Sequence, residues 1–161
     1  MGTAYLSLGS NVEPEHNLRL ALHALRARFG EVLASPVYRT VAVGFDGPDF
    51  LNSAAVLESD LGPHQLNTWL HALEDQQGRD RSGPRFGNRP LDIDLVFYDD
   101  LVLEGPGNLQ IPRDDLRHAF VLKPLADIAP AFRDPSRGET LATLWAAHPD
   151  RARAFEIVPI D

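Results

Sequence analysis

The sequence predicts an α+β fold: a ferredoxin-like core, with helices packed on the faces of an antiparallel sheet, plus a C-terminal extension. Three observations lead there. Strand-type apolar runs alternate with two segments of helical period, in the order β-α-β-β-α-β. The chain has 161 residues, so 1–161 reads as a single domain able to bury roughly 70% of its unfolded surface. Apolar residues make up 43% and charged residues 24%, which excludes global disorder.

The elements follow in order. Residues 3–9 read as a buried strand closed by the turn signature Gly9-Ser10-Asn11. Pro14 and Glu15 suit a helix start, Leu18, Ala21, Leu22, Leu25 and Phe29 recur at helical spacing, and Gly30 ends the run. Residues 31–40, with Val32, Val37 and Tyr38, predict a second strand; 41–49 a loop; 50–58 a third strand. Gly62-Pro63 opens a helix whose core face is Leu66, Trp69, Leu70 and Leu73, and Gly78 stops it. Residues 78–90 hold three Gly and two Pro and predict a loop. Residues 91–98 predict the fourth core strand, with short strands at 101–103 and 109–111. A helix follows over 120–128, with Pro124 expected to interrupt its first turn, then a last helix over 139–147 and an edge strand over 154–158.

Fifteen basic residues against 23 acidic ones give a formal charge of −8. That excludes the basic surface that non-specific nucleic-acid or anionic-membrane binding needs, but not an anion in one basic pocket. No cysteine is present, which removes disulfides, thiol nucleophiles and zinc–thiolate sites and suits a reducing cytoplasm. No apolar run approaches the ~18 residues that cross a bilayer, and no basic region precedes the first apolar run as a signal peptide requires. Lys123, the only lysine, does not follow a Gly-x-x-x-x-Gly run, so there is no Walker-type phosphate loop.

The sharpest chemical feature is Leu91-Asp92-Ile93-Asp94-Leu95. On a strand, Asp92 and Asp94 share one face and the three apolar residues the other. Taken alone, such a pair is a solvated strand face. Its neighbourhood changes the reading: Arg79, Arg81, Arg85 and Arg89 put four guanidiniums within eleven residues of an acidic chain, immediately before the carboxylates. Arginine grips phosphate oxygens in a bidentate fork, and paired carboxylates suit Mg²⁺. A Gly/Pro-rich loop can close over a ligand. Together these are the parts of phosphoryl transfer. Phe50 and Phe120 are ordinary core aromatics unless both face a cleft, where they could sandwich a flat heterocycle; Asn52, on the face of Phe50, offers a donor and an acceptor to a ring edge. From pattern alone, Glu74 and Gln77 are plain helix surface.

The chain resembles the 6-hydroxymethyl-7,8-dihydropterin pyrophosphokinases of folate biosynthesis over roughly residues 4 to 147. Six segments carry the resemblance: Ala4-Tyr5-Leu6-Ser7-Leu8-Gly9-Ser10-Asn11, Val37-Tyr38-Arg39-Thr40, Pro48-Asp49-Phe50-Leu51-Asn52, Leu73-Glu74-Asp75-Gln76-Gln77-Gly78-Arg79, Arg89-Pro90-Leu91-Asp92-Ile93-Asp94-Leu95 and Ala119-Phe120-Val121-Leu122-Lys123-Pro124-Leu125. The resemblance implies a ferredoxin-like fold and transfer of pyrophosphate from ATP to the pterin hydroxymethyl group, releasing AMP. It implies that Asp92 and Asp94 hold two Mg²⁺ and that Arg79 and Arg89 neutralise phosphate charge, with Arg81 and Arg85 assisting. Glu74, Leu95, Arg113 and Arg117 fall on the nucleotide side. Phe50 and Phe120 stack on the pterin, Asn52 bonds its polar edge, Gly9 lets the backbone pass close, and Thr40, Val41, Ala42 and Val43 complete its recognition. It further implies a monomeric cytoplasmic enzyme acting on small molecules.

Departures from the family pattern fall on the nucleotide side. Arg113 follows Pro112 where the family usually carries His. The segment Asp114-Asp115-Leu116-Arg117-His118 is one residue short, so Arg117 and His118 both compete for the family's Arg before the Ala-Phe pair. Phe86 stands where a loop Trp is common, and Val41-Ala42 where a Pro-Pro-like pair is. These changes leave open an alternative: a paralogue that binds pterin or nucleotide without turnover.

Overall fold

The computed structural model describes residues 1–41, 47–78, 89–105, 107 and 109–160. Strand β1 (Gly2–Ser10) leads into helix α1 (Pro14–Phe29). Proline at the first helical turn, Glu15 beside it and Arg26 and Arg28 in the last turn all match the helix polarity. Gly30, at φ 88°, ends the helix in a conformation open to glycine at no steric cost. Strands β2 (Val32–Ala34), β3 (Tyr38–Thr40) and β4 (Phe50–Ser59) follow, then helix α2 (Pro63–Gln76) and strand β5 (Asp92–Tyr98). The chain continues through β6 (Leu103–Glu104), β7 (Gln110–Ile111), a 3₁₀ turn (Asp114–Arg117), α3 (Ala119–Ile128), α4 (Leu141–Ala146) and β8 (Glu156–Ile157).

The main sheet runs β5-β1-β4-β3-β8, with β2 also paired to β4, and every one of these pairings is antiparallel. Taken as one interrupted strand, β2 and β3 give the expected ferredoxin-like order, with β1 at the centre between β5 and β4. Strands β6 and β7 form a small separate sheet.

Two apolar layers enclose the main sheet. On one face Leu6, Leu8, Leu51, Leu57, Ile93 and Leu95 pack against Leu18, Leu22 and Leu25 of α1 and Leu66, Leu70 and Leu73 of α2. On the other, Ala54, Val96 and Phe97 meet Val121, Leu122 and Leu125 of α3 and Leu141 of α4. The β1–β5 register slips between Tyr5 and Leu6, where Leu6 faces Leu95 and Tyr5 faces Phe97. Val96 is the extra residue of this bulge, so it and Phe97 both reach the second layer.

Besides the short strand expected over 101–103, which falls at Leu103–Glu104, and the edge strand over 154–158, which is confined to Glu156–Ile157, the structure departs from the sequence expectations in three places. The strand expected over 31–40 is broken at Ser35-Pro36-Val37. Ser35 Oγ accepts the Ala54 amide at 2.8 Å, and Pro36 has no amide to give to a ladder. Pro124 lies inside α3 beyond its first turn and does not interrupt it. The last helix is shorter than 139–147: Thr140 caps it, accepting the Thr143 amide at 3.2 Å.

Candidate functional site

The strand register assembles the site. Asp92 of β5 lies opposite Gly9 of β1, and Gly9 opposite Asn52 of β4; one step along, Asp94 faces Ser7 and Ser7 faces Ala54. Alternation puts Asp92, Asp94, Ser7, Gly9, Phe50 and Asn52 on the face of the second apolar layer. A cavity of about 240 Å³ opens there. These six residues line it with Thr40, Val41, Arg89, Asp115, His118, Phe120 and Val121.

One wall is shaped by a glycine. A Cβ on Gly9 would stand 2.9 Å from Asn52 Oδ1 and 3.7 Å from Phe50 Cδ1. Asn52 is 5% exposed, and its Nδ2 donates to Thr40 Oγ1. Thr40 pairs with Phe50 in the β3–β4 ladder, so amide, hydroxyl and ring are held by one short piece of sheet.

Asp92, Asp94 and Asp115 make part of the lining acidic. Burial first, and then the Asp92 carboxylate, push Asp94 up to about 8; Asp115 and Glu74 add to this, and Arg113 opposes it. Arg113 Nη1 lies 3.9 Å from Asp94 Oδ1, and its Nε donates to Asp115 at 2.9 Å. Burial works against the Arg113 cation, but Asp94 and Asp115 outweigh it and hold the guanidinium protonated. Two carboxylates that crowd each other in this way favour a multivalent cation, and among the described residues no third His, Asp or Glu joins them in a ligand cluster.

Two buried polar side chains fix the strand that carries the carboxylates. Glu74, 2% exposed near the end of α2, accepts the Ile93 amide through Oε2 at 2.9 Å, between Asp92 and Asp94. Asn11, 4% exposed just after β1, accepts the Arg89 amide at 2.6 Å and donates its own amide to the Arg89 carbonyl at 3.0 Å.

On the α3 side, His118 stands just before the first residue of the helix and stacks on Phe120, with ring centroids 4.8 Å apart and an interplanar angle of 17°. Burial and the charge of Arg117 lower the His118 pKa below the usual histidine range. Arg117 is exposed, pairs with Asp114 at 3.2 Å and lines a neighbouring cavity. Of the two rivals for one family position, His118 is thus the one at this cavity.

Nine of the expected residues line the cavity: Gly9, Thr40, Val41, Phe50, Asn52, Arg89, Asp92, Asp94 and Phe120. Four expected residues lie elsewhere. Leu95 is 1% exposed in the α1/α2 layer, Glu74 sits behind the strand, Arg113 stands behind Asp94, and Arg117 faces outward. Ala42, Val43, Arg79, Arg81 and Arg85 lie outside the described residues. Sequence reasoning missed Ser7, Asp115 and Val121. Ser7 was legible, since it shares the strand face of Gly9; Asp115 and Val121 depend on how the 3₁₀ turn and α3 are placed.

The family model described as 7,8-dihydro-6-hydroxymethylpterin-pyrophosphokinase (HPPK) matches residues 5–130. A 2-amino-4-hydroxy-6-hydroxymethyldihydropteridine pyrophosphokinase of Pseudomonas aeruginosa is 40% identical over 151 residues, covering 90% of this chain and 91% of that protein. A namesake from Synechocystis sp. is 39% identical over 145 residues, covering 88% and 73%. A crystal structure of Plasmodium falciparum HPPK-DHPS superposes with TM-score 0.70 at 14% identity, over 90% of this chain and 40% of that one, a likeness of fold. With the cavity's residues in the matched segment and these relatives alike over most of their length, the chain belongs to the 7,8-dihydro-6-hydroxymethylpterin-pyrophosphokinase family.

Proposed function

We propose that this enzyme transfers the terminal diphosphate of ATP to the hydroxymethyl group of 6-hydroxymethyl-7,8-dihydropterin, releasing AMP, as a step of folate synthesis. The observation that carries the reading is the cavity itself. Its lining combines two aromatic rings and a buried carboxamide with two adjacent carboxylates and Arg89. A flat, polar-edged heterocycle suits the rings and the carboxamide, and a polyphosphate neutralised by cations suits the carboxylates and Arg89.

In this reading Phe50 and Phe120 hold the faces of the pterin, Asn52 meets its edge, and Thr40 fixes the Asn52 amide. The hydroxymethyl oxygen attacks the β-phosphorus of ATP, the bond from that phosphorus to the α,β-bridging oxygen breaks, AMP leaves with that oxygen and its electron pair, and the hydroxyl proton passes to solvent. The protein's contribution is position and charge. Arg89 supplies a fixed cation; Arg79, Arg81 and Arg85 belong to the proposal on the sequence alone. Asp92 and Asp94 would hold Mg²⁺, two ions in this proposal, which when bound would offset phosphate charge. With two protein carboxylates, such sites leave most coordination positions to phosphate and water, as Mg²⁺ favours. Arg113 and Arg117 are proposed on the nucleotide side, with Glu74 and the Leu95 backbone supporting the strand.

A monomeric, cytoplasmic enzyme is part of the same proposal, on the acidic, cysteine-free sequence. Among the described residues no helix is long and apolar enough to cross a membrane.

Asp92→Ala and Asp94→Ala test the reading. Each is expected to abolish AMP formation while circular dichroism keeps the wild-type fold. Turnover retained in either variant removes that carboxylate from the proposed mechanism.

A further inference from the structure

We infer that His118 is a positioning residue for the Phe120 ring and thereby sets the enzyme's affinity for its flat heterocyclic substrate. The inference rests on reading the cavity as the pterin site. The two rings are close to parallel, with centroids 4.8 Å apart, and both side chains are half-buried on the cavity wall.

The backbone around His118 is well held. Its amide donates to the Asp115 carbonyl at 2.9 Å, and its own carbonyl accepts the amides of Val121 and Leu122 at 3.1 and 3.0 Å. The residue is therefore fixed at the start of α3, two positions before Phe120. On the edge away from the stack, Arg117 Nε donates to His118 Nε2 at 3.4 Å. The lowered pKa agrees with a neutral ring.

His118 and Phe120 also line a second cavity of about 290 Å³, together with Arg39, Arg117 and Arg153. The stacked pair is thus a partition between two open spaces. Without the imidazole, Phe120 has room on its far side and keeps only its packing against the second apolar layer. A heterocycle stacked on Phe120 would then pay the cost of ordering that ring. His118 touches no reacting atom in this scheme. Its effect is on binding, not on the chemical step.

The test compares His118→Ala with His118→Phe in the full chain. Binding of 6-hydroxymethyl-7,8-dihydropterin is measured by calorimetry with α,β-methylene-ATP and Mg²⁺, and steady-state kinetics are measured alongside. His118→Ala is expected to raise the pterin Kd and KM about three- to tenfold, with kcat within about twofold of wild type. His118→Phe, which keeps a flat ring in the stack, is expected to restore both to within about twofold. An unchanged Kd in His118→Ala overturns the inference. So does equal impairment of the two variants, or a fall in kcat at constant KM. The calorimetry separates this from the functional reading: pterin binding that depends on the ring at 118 upholds the inference even where no AMP forms, and AMP formation with a Kd indifferent to residue 118 upholds the functional reading alone.

Discussion

Asn11 holds the backbone of Arg89 from both sides: its side-chain Oδ1 takes the Arg89 amide, and its own amide reaches the Arg89 carbonyl. A residue just after the central strand therefore anchors the last of the four arginines, and it sets where the Arg89 side chain begins. Asn11→Ala is expected to lower kcat about tenfold with the pterin Kd nearly unchanged, because a misplaced charge costs more in the transition state than in the ground state. Single-turnover kinetics beside pterin calorimetry check this. A rise in pterin Kd with kcat intact contradicts it.

Gly9 leaves the space that the Asn52 amide fills. A methyl group there meets Oδ1 at 2.9 Å, and Asn52 cannot swing aside without leaving Thr40. Gly9→Ala is expected to raise the pterin KM about tenfold while unfolding stays cooperative, the ordinary result of overfilling a packed wall. A KM within twofold of wild type removes Gly9 from pterin recognition.

Partial burial and the neighbouring Asp92 carboxylate raise Asp94 well above its ordinary value. A carboxyl whose folded pKa exceeds its unfolded one adds stability below the unfolded value and loses it as pH rises through the folded one. Without divalent cations, the contribution of this group falls between about pH 4 and pH 8. Asp94→Asn removes the charge and is expected to stabilise the protein at pH 8 in EDTA by about 1–3 kcal/mol, with little change at pH 4. Thermal melts at the two pH values check it; an equal effect at both contradicts it.

Glu74 accepts the Ile93 amide on the outer edge of the sheet. Glu74→Ala leaves that buried donor unpaired and is expected to cost about 1–3 kcal/mol of stability. Glu74→Gln retains an acceptor and is expected to recover part of the loss. Urea denaturation of the two variants checks both statements.

Much of this molecule is legible in its sequence because the informative patterns are local. The period-two strand around Asp92 and Asp94, the proline-led helices and the closing glycines of α1 and α2 each need only a few neighbours. The pairing of Phe50 and Asn52 on one face follows from the same alternation. The break at Ser35 was hidden because it depends on a partner, the Ala54 amide, nineteen positions away. Pro124 misled because α3 tolerates a missing amide once its apolar side is packed on β4 and β5. Glu74 looked like helix surface because its partner, the Ile93 amide, is visible only when α2 lies against β5. The choice between Arg117 and His118 turns on the course of a 3₁₀ turn, which spacing alone does not specify.

The most direct test of the central claim is the product formed from ATP by the purified chain, with and without 6-hydroxymethyl-7,8-dihydropterin, first in Mg²⁺ and then in EDTA. The account predicts AMP, no ADP, and a requirement for both the pterin and Mg²⁺. ADP as the product, or AMP that forms without pterin, would contradict it.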